Sequence, residues 1–222
     1  MIICLLAVTI PLQYLARNEV VVGLPSGSAH NHAVHEEGGH EHTHEHEHTE
    51  DEGHLATEVP LGVNLIPNYG FEVGTREQVW GWKSRGMEEE GIAYRDTGVA
   101  HGGLASAALS TAGETVDGAG WYMRLDELPL DHVVILEGYV RTQALAGAAY
   151  FMITLEKKDE NGRSEALGWV YSDAVTGDSE WTFRHISIYV PPETTGVWLE
   201  AGMSGSGSAW FDDLYLVVEE PE

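Results

Sequence analysis

The residues best suited to chemistry are histidines. Nine of the twelve fall in one stretch: His30, His32, His35, His40, His42, His44, His46, His48 and His54. Between His40 and His48 a histidine stands at every second position, with glutamates interleaved. In an extended chain alternate residues share a side. In a helix His40, His44 and His48 would stack one turn apart. Either way several imidazoles reach one ion. Imidazole suits zinc, nickel and copper, and the glutamates ease the approach of a cation. The candidate transition-metal ligands are therefore His40, His42, His44, His46 and His48. Two other readings stay open: a solvated spacer, and a tether whose charge responds near the histidine pKa of ~6.5.

A second set of residues suits sugars. The chain has seven Trp and nine Tyr against four Phe. Aromatic rings cover the C–H face of a pyranose, and planar polar groups bond its hydroxyls. Alternation along apolar stretches puts Tyr139 and Arg141 opposite Val140, Tyr150 opposite Phe151, and Trp198 and Glu200 opposite Leu199. Trp169 and Tyr171 share a strand face. If these strands are neighbours, the seven residues form one outward patch for a ligand. Trp82, Trp181 and Trp210 read as packing. Trp121 and Tyr122 point opposite ways, so only one of them can join the patch.

The elements that must position these side chains are strands. Val134–Thr142, Tyr150–Leu155, Val197–Gly202 and Phe211–Val218 alternate or run apolar. Asn161-Gly162 suits a tight hairpin turn. Pro191-Pro192 ends a strand over 183–190. No long 3.6-residue period is present, so helix content should be small. Short strands at this spacing predict a sandwich.

Three zones follow. Residues 1–17 read as a signal peptide or membrane anchor, because Ile2–Ala16 is apolar but short of the usual ~20-residue span. No charged n-region precedes it. Residues 18–60 read as a disordered acidic, histidine-rich linker. Residues 61–218 read as the folded β-domain.

Five stretches occur in order across that domain: Asn64–Glu72, Trp80-Gly81-Trp82, His101–Ala107, Gly138–Thr142 and Gly205–Leu216. Together they resemble the carbohydrate-binding modules of the family 4/9/16/22 type, the galactose-binding-like jelly rolls. The resemblance implies an all-β jelly-roll sandwich whose opening and closing stretches meet. It also implies a structural Ca2+ site with Glu72 and Asp213 as carboxylate ligands and backbone carbonyls near His101 completing it. Calcium takes several hard oxygen ligands in irregular geometry. Asp212 ranks behind Asp213 as a ligand, because neighbouring strand residues face opposite sides. A further implication is a non-catalytic module, with no catalytic domain attached here.

Composition narrows the partners. Thirty-six acidic residues against eleven basic give a formal net charge of -25. Such a surface disfavours nucleic acid and anionic lipid head groups. The single cysteine, Cys4, permits no intramolecular disulfide. No Gly-x-Ser-x-Gly elbow, His-Glu-x-x-His or P-loop is present, so no enzyme is expected. The expected function is non-catalytic glycan binding at the cell envelope or outside the cell. The partners are a polysaccharide or glycan and a divalent metal, with a membrane tether through residues 2–16. Alternatives are a histidine-rich Zn2+/Ni2+/Cu2+-binding surface protein, and an adhesive or structural surface domain.

Overall fold

A computed structural model describes residues 61–86 and 93–220. The readings of a targeting segment, a disordered linker and a histidine metal site lie outside the described residues. Among those residues there is no helix, and none long and apolar enough to cross a membrane.

Eight strands appear: β1 (Lys83–Arg85), β2 (Ala93–Asp96), β3 (Ser106–Ser110), β4 (Val116–Leu125), β5 (His132–Lys158), β6 (Ser164–Tyr171), β7 (Val175–Val190) and β8 (Gly196–Glu219). All pairings among them are antiparallel. β5 and β8 pair along almost their whole length. Their two halves have different outer neighbours. One layer reads β1-β4-β8-β5-β6, using residues 197–205 of β8 and 149–156 of β5. The other reads β2-β3-β8-β5-β7, using the C-terminal half of β8 and the N-terminal half of β5.

The two long strands bend from one layer into the other. The β5–β8 register slips between Gln143 and Ala146. There Ala144 and Gly205 take positive φ angles of 50° and 93°. A Cβ on Gly147 would lie 2.8 Å from Gly205 Cα, so the backbones cross too closely for a side chain. The bend stacks the halves. Phe151 of one layer meets Phe211 of the other at 5.9 Å between centroids. The Trp121 indole N–H donates to Ala108 O of the second layer at 3.1 Å. Val134, Leu136, Val140, Phe151, Ile153, Leu199, Phe211 and Leu216 fill the space between. This is the expected jelly-roll sandwich, with one difference. The separate strands read around 134–142 and 150–155 are one strand, as are those around 197–202 and 211–218. A bulge interrupts alternation without ending the ladder.

The opening and closing stretches meet. Leu65 N–H donates to Leu216 O at 2.9 Å, and Leu214 N–H to Tyr69 O at 3.0 Å. The Asn64 side chain fastens the pair, accepting from Leu216 N–H at 3.0 Å and donating to Leu214 O at 3.1 Å.

Candidate functional site

The outer face of the first layer is built by alternation. β4, β8 and β5 turn Trp121, Met123, Leu199, Ala201, Phe151 and Ile153 inward. Their even-numbered neighbours therefore face out. Register aligns Lys83, Tyr122, Glu200, Met152 and Tyr171 in one row across five strands. Arg124, Trp198, Thr154 and Trp169 form the next. The row-to-row offset of Arg85, Gly120, Gly202 and Tyr150 forms a third.

Glu200 is the floor of this face, with 3% of its surface exposed. Arg85 pairs with one of its carboxylate oxygens. The other, Oε1, has no hydrogen-bond partner among the described residues. Glycines make room for it. A Cβ at Gly120 would come within 2.8 Å of Oε1, and one at Gly202 within 2.6 Å. Burial raises the Glu200 pKa above its ordinary 4.5, with the Arg85 guanidinium working in the opposite direction. Tyr150 stands over Gly202 and packs edge-on against Tyr171 at 5.2 Å. Burial and then Glu200 raise the Tyr150 hydroxyl pKa. Trp169 presents 62% of its surface to solvent.

The arrangement departs from the single patch expected. Tyr150, Trp169, Tyr171, Trp198 and Glu200 share this face. Tyr139 and Arg141 lie on the outer face of the other layer, because β5 crosses between layers after Thr142. Trp198 is only 5% exposed. Its indole N–H donates to Glu156 Oε2 at 2.7 Å, and Arg124 and Tyr122 pack on it. Arg124 in turn pairs with Asp126 and, at 3.2 Å, with Glu156. An outward position on a curved sheet is not an open one, and alternation alone did not separate the two. Of the Trp121–Tyr122 pair, Tyr122 faces out and Trp121 is core. Sequence reasoning also missed Arg85, which lies in a three-residue strand too short to show a period.

The predicted calcium ligands converge at the sandwich rim. Glu72 Oε1 accepts from Leu104 N–H at 2.8 Å. Asp213 Oδ2 lies 2.7 Å from His101 Nδ1. A Cβ on Gly102 would come 2.5 Å from Asp213 Oδ2, so the loop is shaped closely around that carboxylate. Asp212 is a correction. Opposite faces are the ground for ranking it behind Asp213 as a ligand, yet Asp212 Oδ2 accepts from His101 N–H at 2.7 Å and Gly102 N–H at 3.2 Å. The cause is a bulge: Asp213 has φ 50°, and the register slips between Tyr139 and Asp212 on one side and Glu137 and Tyr215 on the other. Both aspartates therefore face the 101–104 loop. Burial pushes the Asp212 carboxyl up to about 6 against the pull of the loop amides. Arg95 donates to Phe71 O at 2.7 Å and Glu72 O at 2.9 Å, anchoring the opening loop.

Among the described residues no group of three or more His, Cys, Asp or Glu is placed to hold a metal ion. A calcium ion at the rim would therefore draw on carbonyls beside Glu72 and Asp213. That mixed set of hard oxygens suits calcium rather than a transition metal. The His101 ring is stacked on Tyr139 at 3.6 Å and turns Nδ1 to Asp213 Oδ2.

No family model matches the chain. Over 171 residues it is 26% identical to a protein named tRNA nuclease WapA from Bacillus subtilis (strain 168). It is equally similar to a tRNA3(Ser)-specific nuclease WapA from Bacillus spizizenii. The match covers 72% of this chain and 7% of each relative's length. These relatives overturn the expectation of no enzyme, since they are named as nucleases. Among solved structures, the N-terminal CBM22-1–CBM22-2 tandem domain from Paenibacillus barcinonensis Xyn10C superposes with a TM-score of 0.53 at 20% identity, covering 75% of this chain and 48% of that one. A family 16 carbohydrate-binding module has a TM-score of 0.50 at 19% identity, covering 69% and 99%. The fold is thus that of these carbohydrate-binding modules.

Proposed function

We propose that the chain binds a glycan on the outer face of its first layer. One observation carries this reading: the buried Glu200 Oε1, left without a donor between two glycines, beside Tyr150 and Tyr171. A buried acceptor without a partner is costly, and a ligand hydroxyl would satisfy it once the Tyr150 ring, which stands beside it over Gly202, gives way. Arg85 holds the carboxylate and itself offers donors to ring or hydroxyl oxygens. Trp169 and Tyr171 supply open rings for the C–H face of a pyranose. Solved neighbours in the same fold include a xylan-binding domain from Paenibacillus barcinonensis, with a TM-score of 0.50 at 20% identity. Likeness at that level supports the fold, so the sugar is chosen by experiment. A glycan array tests the reading. The chain should give hits that weaken in Trp169→Ala and Glu200→Gln. Silence of the unaltered chain across the array would overturn the proposal.

We infer a calcium ion at the rim, held by Glu72, Asp213 and loop carbonyls. It would supply positive charge where three carboxylates face one loop and would fix that loop against β8. The site of action we propose is the cell envelope or outside the cell. In the curated relatives the matching segment is a small fraction of a long chain. A glycan-binding part of this size would attach such a chain to a polysaccharide surface.

The histidine tract favours a second reading, capture of Zn2+, Ni2+ or Cu2+. Its support is the alternation from His40 to His48 with glutamates between. Calorimetry with zinc should show heat that disappears when residues 30–54 are deleted. Unchanged heat would end it.

A further inference from the structure

We propose that the outer face of the second layer is a second glycan-binding surface, taking an extended neutral polysaccharide along β7. The inference rests on the first face being a glycan site. β7 turns Trp181, Phe183, His185 and Tyr189 to one side, with Ser187 between the last two. At ~3.4 Å per residue this stripe runs for about 27 Å, a length that suits a polymer rather than one sugar. Its rings are held by contact. Phe183 packs edge-on against Tyr139 at 5.5 Å and stacks near His185 at 6.0 Å. Tyr139 is backed by the His101 ring, which Trp181 meets edge-on at 5.6 Å. Phe183 and Tyr189 remain 44% and 47% exposed.

Polar interleaving selects the occupant. Register places Glu137 between His185 and Tyr215, in the middle of the face. At one end Tyr189 donates to Asp131 at 2.7 Å. An apolar protein surface docking here would bury Glu137 with only the His185 imidazole opposite it, at high cost. Arg141 on this face is paired with Glu180 at 3.7 Å, so a nucleic acid or uronate polymer would meet mainly carboxylates of like charge. A neutral pyranose chain offers C–H faces to the rings and hydroxyl donors to Glu137 and His185. The two outer faces look away from each other, so one molecule would engage two polysaccharide strands.

Cross-linking tests this with the full chain. The probes are soluble xylan, galactan, mannan and mixed-linkage β-glucan. With whichever binds, the unaltered chain should raise turbidity, because two-faced binding bridges strands. Phe183→Ala/Tyr189→Ala should still be retarded in an affinity gel yet lose turbidity by about tenfold, and Trp169→Ala/Tyr171→Ala should do the same. A calorimetric titration of the unaltered chain with the matching hexasaccharide should give a stoichiometry of about two. Turbidity unchanged in Phe183→Ala/Tyr189→Ala would overturn the second face alone. So would a stoichiometry of about one, or complete loss of retardation in Trp169→Ala/Tyr171→Ala. No binding by the unaltered chain to any probe would overturn both faces.

Discussion

At Glu200, desolvation and the proposed ligand contact fall on the same carboxyl. Burial raises its pKa, and Arg85 only partly offsets that. In the unfolded chain the group ionises near its ordinary 4.5; in the folded chain it keeps its proton to higher pH. Its contribution to stability is therefore fullest below 4.5 and declines as pH rises through the raised folded value. Glu200→Gln stays neutral throughout and should flatten that part of a melting-temperature profile against pH. A profile with an unchanged slope would contradict the assignment. Trp169 is the open counterpart. Trp169→Ala should weaken glycan binding by roughly two- to tenfold, the worth of about 0.5–1.5 kcal/mol of ring contact, while leaving the melting temperature nearly unchanged.

The bend in β5 and β8 decides which side chains meet. It sends Tyr139 and Arg141 to one face and Tyr150 to the other, although only eight residues separate Arg141 from Tyr150 in a single strand. Alternation predicted which residues face out, because side-chain direction has a period of two. It did not predict the layer, because a bulge shifts that period without leaving a proline or a turn motif. The same holds at Asp213, whose positive φ brings both aspartates to one loop. Asn64–Glu72 and Phe211–Leu216 were legible because each couples a core phenylalanine to loop-fixing polar residues. Gly147→Ala should cost about 1–3 kcal/mol in chemical denaturation, since the added methyl meets the β8 backbone. Phe211→Ala should cost about 3–5 kcal/mol through the cavity left against Phe151. A near-neutral result for either would mean the layers do not close as described.

Across the described domain, the proposed calcium rim and the proposed glycan faces are separate regions. The rim joins the first loop to the last strand, so an ion there would stabilise the folded chain by mass action. Chelation should lower the melting temperature by several degrees, and Asp213→Asn should abolish that response. No shift on chelation would argue against calcium. On the described domain the exposed aromatic rings of the two outer faces, rather than charge, are the proposed ligand contacts. The most direct measurement is a titration of the isotope-labelled chain with the oligosaccharide that its array selects, followed by NMR. The Trp169 indole N–H and the backbone amides around Tyr150, Tyr171 and Glu200 should move together and saturate. If they stay in place while the sugar binds elsewhere, the first face is not the glycan site.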